Sequence, residues 1–445
     1  MKSSFNSNKL SKLARFGPSH SRCPTFPKGF LASGVYCGIK KSHQDPNAPG
    51  QRDLALIVST RNDTASAGCF TRNLFKAAPV KYSIETLLQK RGSGIRAVVV
   101  NSGCANAVTG SQGSSDAAEM ARTLDGLLNL NENRHRTSLV LSTGVIGQLL
   151  PMERIRKGIL DGHKNLNDSY EAWLAAAEAF MTTDTFPKLL THSFKLANQE
   201  IRIVGIDKGA GMIHPSMGPP HATLLGLIAT DAAIQPDSLQ IALNRAVERS
   251  FNQISVDGDM STNDTILALA NGAAGNQLIS HITHPIEFSL FEDQLCQFAL
   301  QLAKLVVRDG EGATKFVQVK VIGAQTEEDA SKVASTVSKS SLVKCALNGQ
   351  DANWGRILSA VGYSQANGIN PSKVSVSFVS TAGVELKLLV NGEPENVDEE
   401  KASQILHEED LEIVINLGNQ NGFQSSYFTC DLSKEYVAIN GDYRS

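Results

Sequence analysis

The sequence predicts a mixed α/β (α+β) protein made of packed layers. Short apolar runs, which suit buried strands, alternate with amphipathic or alanine-rich segments, which suit helices, in both halves of the chain. The 445 residues are enough to bury a sizeable core, and no sequence repeat or low-complexity linker divides them. We therefore expect interlocked layers and not independent domains on a flexible tether.

The first predicted elements are a strand, a helix and a second strand. Residues 95–100 form an apolar run that leads into Asn101-Ser102-Gly103, as a buried strand does where it enters a loop. Apolar residues recur close to the helical period within 116–130, which predicts a helix. Residues 138–142 then predict a strand that opens into Thr143-Gly144.

A further helix and a hairpin follow. The alanine-rich segment 170–181 predicts a helix that ends ahead of Pro187, because proline cannot continue the helical hydrogen bonds. Residues 189–206 alternate apolar and polar on either side of Ala197-Asn198-Gln199, which predicts two strands joined by a turn.

The middle of the chain changes character. Residues 208–222 hold three glycines and three prolines, too many for a helix or a central strand, and the apolar run 223–229 follows directly as a predicted strand. The remaining predicted elements are a helix at 236–253 with proline first, a strand at 265–270, a helix at 285–307, a strand at 316–322, a helix whose first turn holds the acids after Thr326, and then strand, strand, helix, strand and strand.

Composition limits the classes of function. The net charge of −2 argues against a basic nucleic-acid surface, and no uncharged apolar run approaches the roughly 18–20 residues of a membrane span. The seven cysteines are scattered without a zinc-site spacing, which favours reduced thiols in a compartment such as the mitochondrial matrix or the cytosol. We therefore predict no nucleic-acid partner, no membrane and no metal.

The start of the chain is purely basic. No acidic residue precedes Asp45, and the first residues are rich in serine, with Leu10, Leu13 and Phe16 at helical spacing beside the cations. This composition is typical of an organellar transit peptide, which we predict over residues 1–28, with a disordered basic tail as the alternative. Its removal would take away 6 of the 42 basic residues and none of the 44 acidic ones, leaving a net charge of −8.

Common catalytic motifs are missing from the sequence. Gly209-Ala-Gly211 lacks the third glycine of a dinucleotide loop, and neither G-x-S-x-G nor H-E-x-x-H occurs. Residues 257–264 are acidic, but Thr262 and Ala268 stand where a calcium loop needs a glycine and a carboxylate. A solvated loop or an active-site scaffold is the expected role of 257–264.

Ala222-Thr223 is the pair that could carry chemistry. A small residue followed by a hydroxyl residue, where a proline-rich loop enters a strand, can be a point of self-cleavage. An N-to-O acyl shift would leave Thr223 at a new N-terminus, where its own α-amino group can take the hydroxyl proton near neutral pH. A plain strand residue is the alternative for Thr223, and an exposed turn is the alternative to an acid or base role for His214 and His221.

Several blocks of the chain resemble the ornithine acetyltransferase (ArgJ) family, in order and from about residue 30 to the last residue. The blocks are NSGCANA at 101–107, STGVIG at 142–147, MTTDT at 181–185, KGAGMIHP at 208–215, ATLLGLIATD at 222–231, SVDGDMSTND at 255–264, RDGEGATK at 308–315, DANWGR at 351–356 and NGDYRS at 440–445. One departure is the insertion of residues 218–221 ahead of Ala222, a longer loop that resembles filamentous-fungal members and so favours a mitochondrial form.

The resemblance implies an architecture and a division of the chain. The fold would be a layered αββα sandwich with a smaller C-terminal α/β part. Self-cleavage between Ala222 and Thr223 would give two intertwined chains, 29–222 and 223–445, the second beginning with the nucleophile. Two such heterodimers would form a dimer in the mitochondrial matrix.

The resemblance also implies a reaction, the transfer of acetyl from N2-acetyl-L-ornithine to L-glutamate in arginine biosynthesis, by a ping-pong cycle through acetyl-Thr223. Acetyl-CoA would be a second acetyl donor, and no cofactor is expected. Thr143 and Gly144 would form the oxyanion hole. The substrate contacts would come from Thr182, Lys208, Thr223, Glu311, Asn440 and Ser445.

Two other functions stay open at this point. A self-cleaving aminopeptidase or hydrolase of similar fold would use water where the transferase uses glutamate. A non-catalytic binding protein would keep the fold and remain uncleaved. Self-cleavage would distinguish either enzyme from a binding protein. The partition of the acetyl group between glutamate and water would distinguish the transferase from the hydrolase.

Overall fold

The computed structural model describes residues 11–17, 25–40, 50–128, 136–215 and 224–441, and His221, Ala222, Thr223 and Ser445 lie outside these ranges. The strands are β1 (Phe30–Val35), β2 (Leu54–Ser59), β3 (Ala65–Phe70), β4 (Ala97–Cys104), β5 (Ser138–Val145), β6 (Lys188–Leu196), β7 (Gln199–Lys208), β8 (Leu225–Thr230), β9 (Ile254–Ser255), β10 (Thr265–Ala270), β11 (Phe316–Ala324), β12 (Ser375–Val379), β13 (Glu385–Val390), β14 (Glu393–Pro394), β15 (Asp410–Asn416) and β16 (Phe423–Cys430). The helices are α1 (residues 11–16), α2 (Ala78–Lys90), α3 (Gly110–Leu127), α4 (Met152–Lys164), α5 (Tyr170–Phe180), α6 (Pro236–Glu248), α7 (Pro285–Arg308), α8 (Glu327–Lys339), α9 (Ser341–Asn348), α10 (Trp354–Gly362), α11 (Glu399–His407) and α12 (Lys434–Asn440).

The strands form three sheets. The first has the order β1-β2-β4-β5, in which β4 and β5 are parallel and the other pairs antiparallel. The second has the order β3-β10-β8-β7-β6, with β10 and β8 parallel. The third has the order β14-β13-β12-β15-β11-β16-β9. In the second sheet, β8 and β10, which follow the Ala222–Thr223 junction, lie between β3 on one side and β7 and β6 on the other, all of which precede it.

The first two sheets pack face to face and share one core, while helices cover their outer faces. Alternation along β2 shows this, because Ala55 and Ile57 enter the shared core whereas Leu54, Leu56 and Val58 pack towards α2, α3 and α4. Helices α6 and α7 cover the outer face of the second sheet. The architecture is thus the αββα sandwich that the resemblance implies.

The third sheet and its helices make the smaller C-terminal α/β part. Val317, Val319 and Val321 of β11 point into a core that they share with α8, and the residues between them are less buried. Thr326 caps α8, since its hydroxyl accepts the Asp329 N–H at 3.0 Å. The predicted helix start at this threonine is confirmed.

Most of the predicted elements are confirmed, with shifted ends. The hairpin is β6–β7, and its turn residues Ala197 and Asn198 have φ of 47° and 65°. Helix α3 begins at Gly110 and not at 116, because its first turns are polar and do not show the apolar period. Helix α6 ends at Glu248, five residues before the predicted end.

Within the described ranges, no helix combines the length and the hydropathy that crossing a membrane requires.

Candidate active site

Six residues expected to form the site line one cavity of about 120 Å³ between the first two sheets and α12. They are Thr143, Gly144, Thr182, Lys208, Glu311 and Asn440. The wall is completed by Ala105, Ile146, Thr183, Gly211, Met212, Ile213, Leu224, Leu225, Ser261, Asn263 and Asp264. Leu224, in this wall, is the residue that a peptide bond joins to Thr223.

Thr143 and Gly144 stand at the end of β5, where its parallel neighbour β4 also ends. Gly144 has φ of 127°, and a Cβ at this position would lie 2.3 Å from the carbonyl carbon of Gly103. Only glycine therefore fits here, because the two strands approach more closely than a side chain allows. Thr143 is 8% exposed and lines the cavity.

The hydrogen-bonding role of the Thr143 hydroxyl is fixed by a neighbouring cation. Lys208 Nζ donates a hydrogen bond to Thr143 Oγ1 at 3.1 Å. An ammonium group is a donor only, so the hydroxyl must accept in this bond and its own hydrogen is free to point elsewhere. Lys208 thus leaves Thr143 as a hydrogen-bond donor to an atom in the cavity.

Glu311 and Asn440 also line the cavity. Asn440 Nδ2 donates to Glu311 Oε2 at 2.6 Å, and the Glu311 N–H donates to the Ala210 carbonyl at 2.8 Å. A Cβ on Gly211 would lie 2.3 Å from the Glu311 carboxylate, so the bare backbone of Gly211 lets the carboxylate approach. Burial raises the pKa of Glu311, while hydrogen bonds from Asn440 and Thr183 act against that rise.

A buried ionic group lies behind these loops. Lys188 Nζ contacts Asp184 Oδ1 and Asp309 Oδ2, each at 2.6 Å, and all three side chains are fully buried. Burial alone would raise the pKa of Asp184, but Lys188 and Lys208 outweigh this and hold it below its usual range. We call Asp184, Lys188 and Asp309 the ionic triad.

The ionic triad also binds the backbone of the loops that carry the site. Asp184 accepts the N–H of Thr182 at 2.9 Å and that of Gly209 at 2.8 Å. Asp309 accepts the Thr185 N–H at 2.9 Å and lies two residues before Glu311. One buried group therefore fixes the loops of Thr182, Lys208 and Glu311.

Comparison with known proteins places the chain in a family. The model of the ArgJ family matches residues 31–445. The chain belongs to the ArgJ family. It is 55% identical over 439 residues to the mitochondrial arginine biosynthesis bifunctional protein ArgJ of Postia placenta, covering 94% of this chain and 92% of the relative. Identity to the protein of the same name from Yarrowia lipolytica is 52%, covering 97% and 96%. The crystal structure of arginine biosynthesis bifunctional protein ArgJ from Bacillus halodurans is 38% identical, with a TM-score of 0.44 over 47% of this chain and 95% of that chain.

Asn263 is one of the polar residues of this ArgJ-family site that sequence reasoning missed. Asn263 is 4% exposed, and its Nδ2 donates to the Ala105 carbonyl at 2.6 Å and to the Ser142 carbonyl at 2.7 Å. These bonds tie the ends of β4 and β5 to the loop before β10. No spacing in the sequence indicates them, because the partners are 158 and 121 residues away.

Residues 257–264 act as a scaffold, one of their two expected roles. Asp257 accepts the N–H of Met212 at 2.6 Å and that of Ile213 at 2.9 Å. Tyr436 of α12 also donates to Asp257, at 3.2 Å. Asp257 therefore joins the loop ahead of the junction to the helix that carries Asn440. Among the described residues, no group of three or more metal-ligating side chains is gathered.

His214 lies outside the cavity. Its ring packs 6.0 Å from the ring of Tyr427, and burial, with Lys339 nearby, lowers its pKa to about 4. The residue is half-buried, so the exposed turn considered for it is wrong. His214 is therefore neutral at physiological pH, and His221 lies outside the described residues.

Proposed function

We propose that this chain is a bifunctional enzyme of arginine biosynthesis that transfers acetyl from N2-acetyl-L-ornithine to L-glutamate, and that it also acetylates glutamate from acetyl-CoA. Membership of the ArgJ family over residues 31–445 supports the assignment, as do relatives at 50–55% identity that are named as bifunctional proteins of arginine biosynthesis. The observation that carries it is the cavity, in which a hydroxyl, a backbone N–H, a cation and a carboxylate converge next to Leu224.

Thr223 is the proposed nucleophile. Its Oγ attacks the acetyl carbonyl of acetylornithine while its α-amino group takes the hydroxyl proton. The C–N bond then breaks, the proton passes to the leaving ornithine amine, and acetyl stays on Thr223 as an ester. The α-amino group of glutamate attacks this ester, forms N-acetylglutamate and restores the threonine hydroxyl.

The oxyanion hole is assigned to Thr143 and Gly144. Both stand on the end of a rigid strand, and Lys208 already occupies the acceptor side of the Thr143 hydroxyl. A donor fixed in this way needs no reorientation when negative charge develops on the acetyl oxygen. Removing one such donor costs about 3–4 kcal/mol of barrier.

Substrate binding is assigned to Thr182, Lys208, Glu311, Asn440 and Ser445, together with Thr223. An amino-acid substrate carries a carboxylate and an ammonium group, and Lys208 and Glu311 supply one charge of each sign on the cavity wall. The bond from Asn440 keeps the Glu311 carboxylate oriented.

The chain is proposed to cleave itself between Ala222 and Thr223 into an α chain that ends at 222 and a β chain 223–445. The interleaved second sheet supports two chains that stay together. The relatives are named mitochondrial, and the basic start of this chain supports import into the mitochondrial matrix. We further propose a dimer of the cleaved heterodimers.

The test uses protein made in a heterologous host without added protease. N-terminal sequencing should find a fragment that starts at Thr223, and acetylornithine alone should add one acetyl mass to it. Thr223→Ala should lose both cleavage and acetylation, and Thr223→Ser should keep some of each. An active protein recovered only at full length would contradict the assignment, and release of acetate in place of N-acetylglutamate would identify a hydrolase.

A further inference from the structure

Helix α1 lies inside the segment whose composition predicts a transit peptide over 1–28, yet it packs against the folded body. Lys12 Nζ donates to the main-chain oxygen of Arg308, the last residue of α7, at 2.9 Å. Arg15 forms an ion pair with Glu409, and Phe16 lies against Phe186 with ring centroids 6.2 Å apart. These contacts reach three separate places, namely the end of α7, the residue before β15 and the loop before β6.

Lys12 complements the end of α7. The last carbonyls of a helix have no partner within the helix and carry the negative end of its dipole, so an ammonium group there is stabilising. Burial lowers the pKa of Lys12, and the Asp309 carboxylate is the foremost of the negative groups that oppose this shift. The Lys12 ammonium group is therefore buried at a site where negative groups compensate its charge.

The Phe16 ring packs against the guanidinium group of Arg308, which also contacts a second aromatic ring. The Arg308 guanidinium lies 4.8 Å from the centre of the Phe16 ring and 4.1 Å from that of Phe316. Asp410 holds Arg308 with two hydrogen bonds of 2.8 and 2.6 Å. A guanidinium fixed between two aromatic faces is a favourable arrangement, and removal of Phe16 would leave one face open.

The Arg15–Glu409 pair adds little to this argument. Both side chains are more than a third exposed, and ion pairs of this kind contribute little to stability because water screens them. The inference therefore rests on Lys12 and Phe16, whose contacts join α1 to the C-terminal end of α7. The residue that follows Arg308, the last residue of α7, is Asp309 of the ionic triad.

We propose that residues 11–17 belong to the mature subunit as a clasp on the C-terminal end of α7, and that the maturation cleavage falls before Ser11. The boundary at residue 28 that composition suggests is replaced by this earlier one. Residues 1–10 keep the basic and acid-free part of the import signal, with Lys2, Lys9 and three serines, while Leu13 and Phe16 of the helical pattern stay on the mature subunit. The proposal is independent of the reaction that the enzyme catalyses.

The first test locates the mature N-terminus. The full-length chain is expressed in a fungal host, mitochondria are isolated with protease inhibitors, and the protein is captured with an antibody raised against the recombinant chain. N-terminal sequencing and intact mass of the α chain should give a start at or before Ser11. A start at any later residue would overturn the proposal.

The second test asks whether the clasp binds in solution. Recombinant full-length Lys12→Met and Phe16→Ala should each melt at least about 2 °C below the wild type, because each loses a packed contact. Leu13→Ala is the matched control, since Leu13 is on the same helix but is 41% exposed, and it should melt as the wild type does. Melting temperatures of Lys12→Met and Phe16→Ala equal to that of Leu13→Ala would overturn the proposal.

Discussion

At the scale of single residues, Lys208 and Thr143 illustrate how a neutral hydroxyl can be made into a dependable donor. A threonine hydroxyl can rotate between donor and acceptor roles, and rotation during the reaction would cost part of the stabilisation that it offers. The 3.1 Å bond from Lys208 settles the role before substrate arrives. The two residues should therefore behave as a unit.

We expect Thr143→Ala to lower kcat/KM by about 100–1000-fold, since one oxyanion donor is lost while the Gly144 N–H remains. Self-cleavage should persist, and Thr143→Ser should keep most of the activity. Steady-state kinetics of Lys208→Met, Thr143→Ala and the double variant should show a combined loss smaller than the product of the single losses. Fully multiplicative losses would mean that the two side chains act separately, and a Thr143→Ala enzyme as active as the wild type would remove Thr143 from the oxyanion hole.

The pH dependence of substrate binding should follow Glu311. Because burial raises its pKa, Glu311 gains a proton at a higher pH than an ordinary glutamate does as the pH falls, and its attraction for a substrate ammonium is then lost. The kcat/KM profile for acetylornithine should fall on the acid side in two steps, one as the Thr223 α-amino group gains a proton and one, at lower pH, as Glu311 does. Glu311→Gln should be weaker and should lack the Glu311 step of this acid limb. Glu393→Gln, at an exposed carboxylate of β14, is the control, and an unchanged acid limb in Glu311→Gln would contradict the assignment.

At the scale of elements, the sequence predicts those helices and strands that are marked by the pattern of their own residues. The β6–β7 hairpin is recognisable because its strands alternate and Ala197-Asn198 adopts a left-handed turn. Helix α12 is not recognisable, since it has seven residues and no buried side chain of its own. Tertiary contacts hold this helix, such as the hydrogen bond from the hydroxyl of its N-cap residue Ser433 to the Gly312 carbonyl at 2.8 Å.

The ionic triad is the element-level feature with the largest expected effect. Lys188→Met would leave the Asp184 and Asp309 carboxylates buried without their cation, which should cost about 3–5 kcal/mol and lower the midpoint of urea unfolding. The variant should also raise KM for acetylornithine at temperatures where it stays folded, because the loops of Thr182 and Lys208 lose their anchor.

Lys344→Met is the matched control for Lys188→Met. Lys344 is 2% exposed, and its ammonium group donates to Thr429 Oγ1 at 3.0 Å and to the Cys430 carbonyl, so its partners lie in β16 and not in the three loops of the site. Its loss should reduce stability and leave KM unchanged. A wild-type KM in folded Lys188→Met would show that the ionic triad supports the fold without positioning the substrate groups.

At the scale of the whole molecule, the strand order explains why the site could be named only by resemblance. Thr143, Lys208 and Glu311 come from distant parts of the chain, and no local pattern marks any of them as a neighbour of the others. The resemblance supplied the residue set, but the bond that orients Thr143 and the Asn263 link depend on tertiary packing. Such contacts have no signal in one sequence.

The second sheet should make the two proposed chains inseparable without denaturant. Six residue pairs join β3 to β10 and six join β7 to β8, and both ladders cross the junction. Thr223→Ala should fold as one uncleaved, inactive chain, whereas 11–222 and 223–445 expressed separately should each lack the circular dichroism of the folded enzyme. A folded, soluble 223–445 fragment on its own would contradict the interleaving.

Interleaving has a consequence for the lifetime of the enzyme. Before cleavage, folding is a first-order event within one chain, so its rate does not depend on how much protein is present. After cleavage, any molecule that opens fully must recover two partners by second-order collision, and the chance of that falls with dilution. The active lifetime of the enzyme should then depend on the unfolding rate of the cleaved molecule, because two separated chains rarely reassemble.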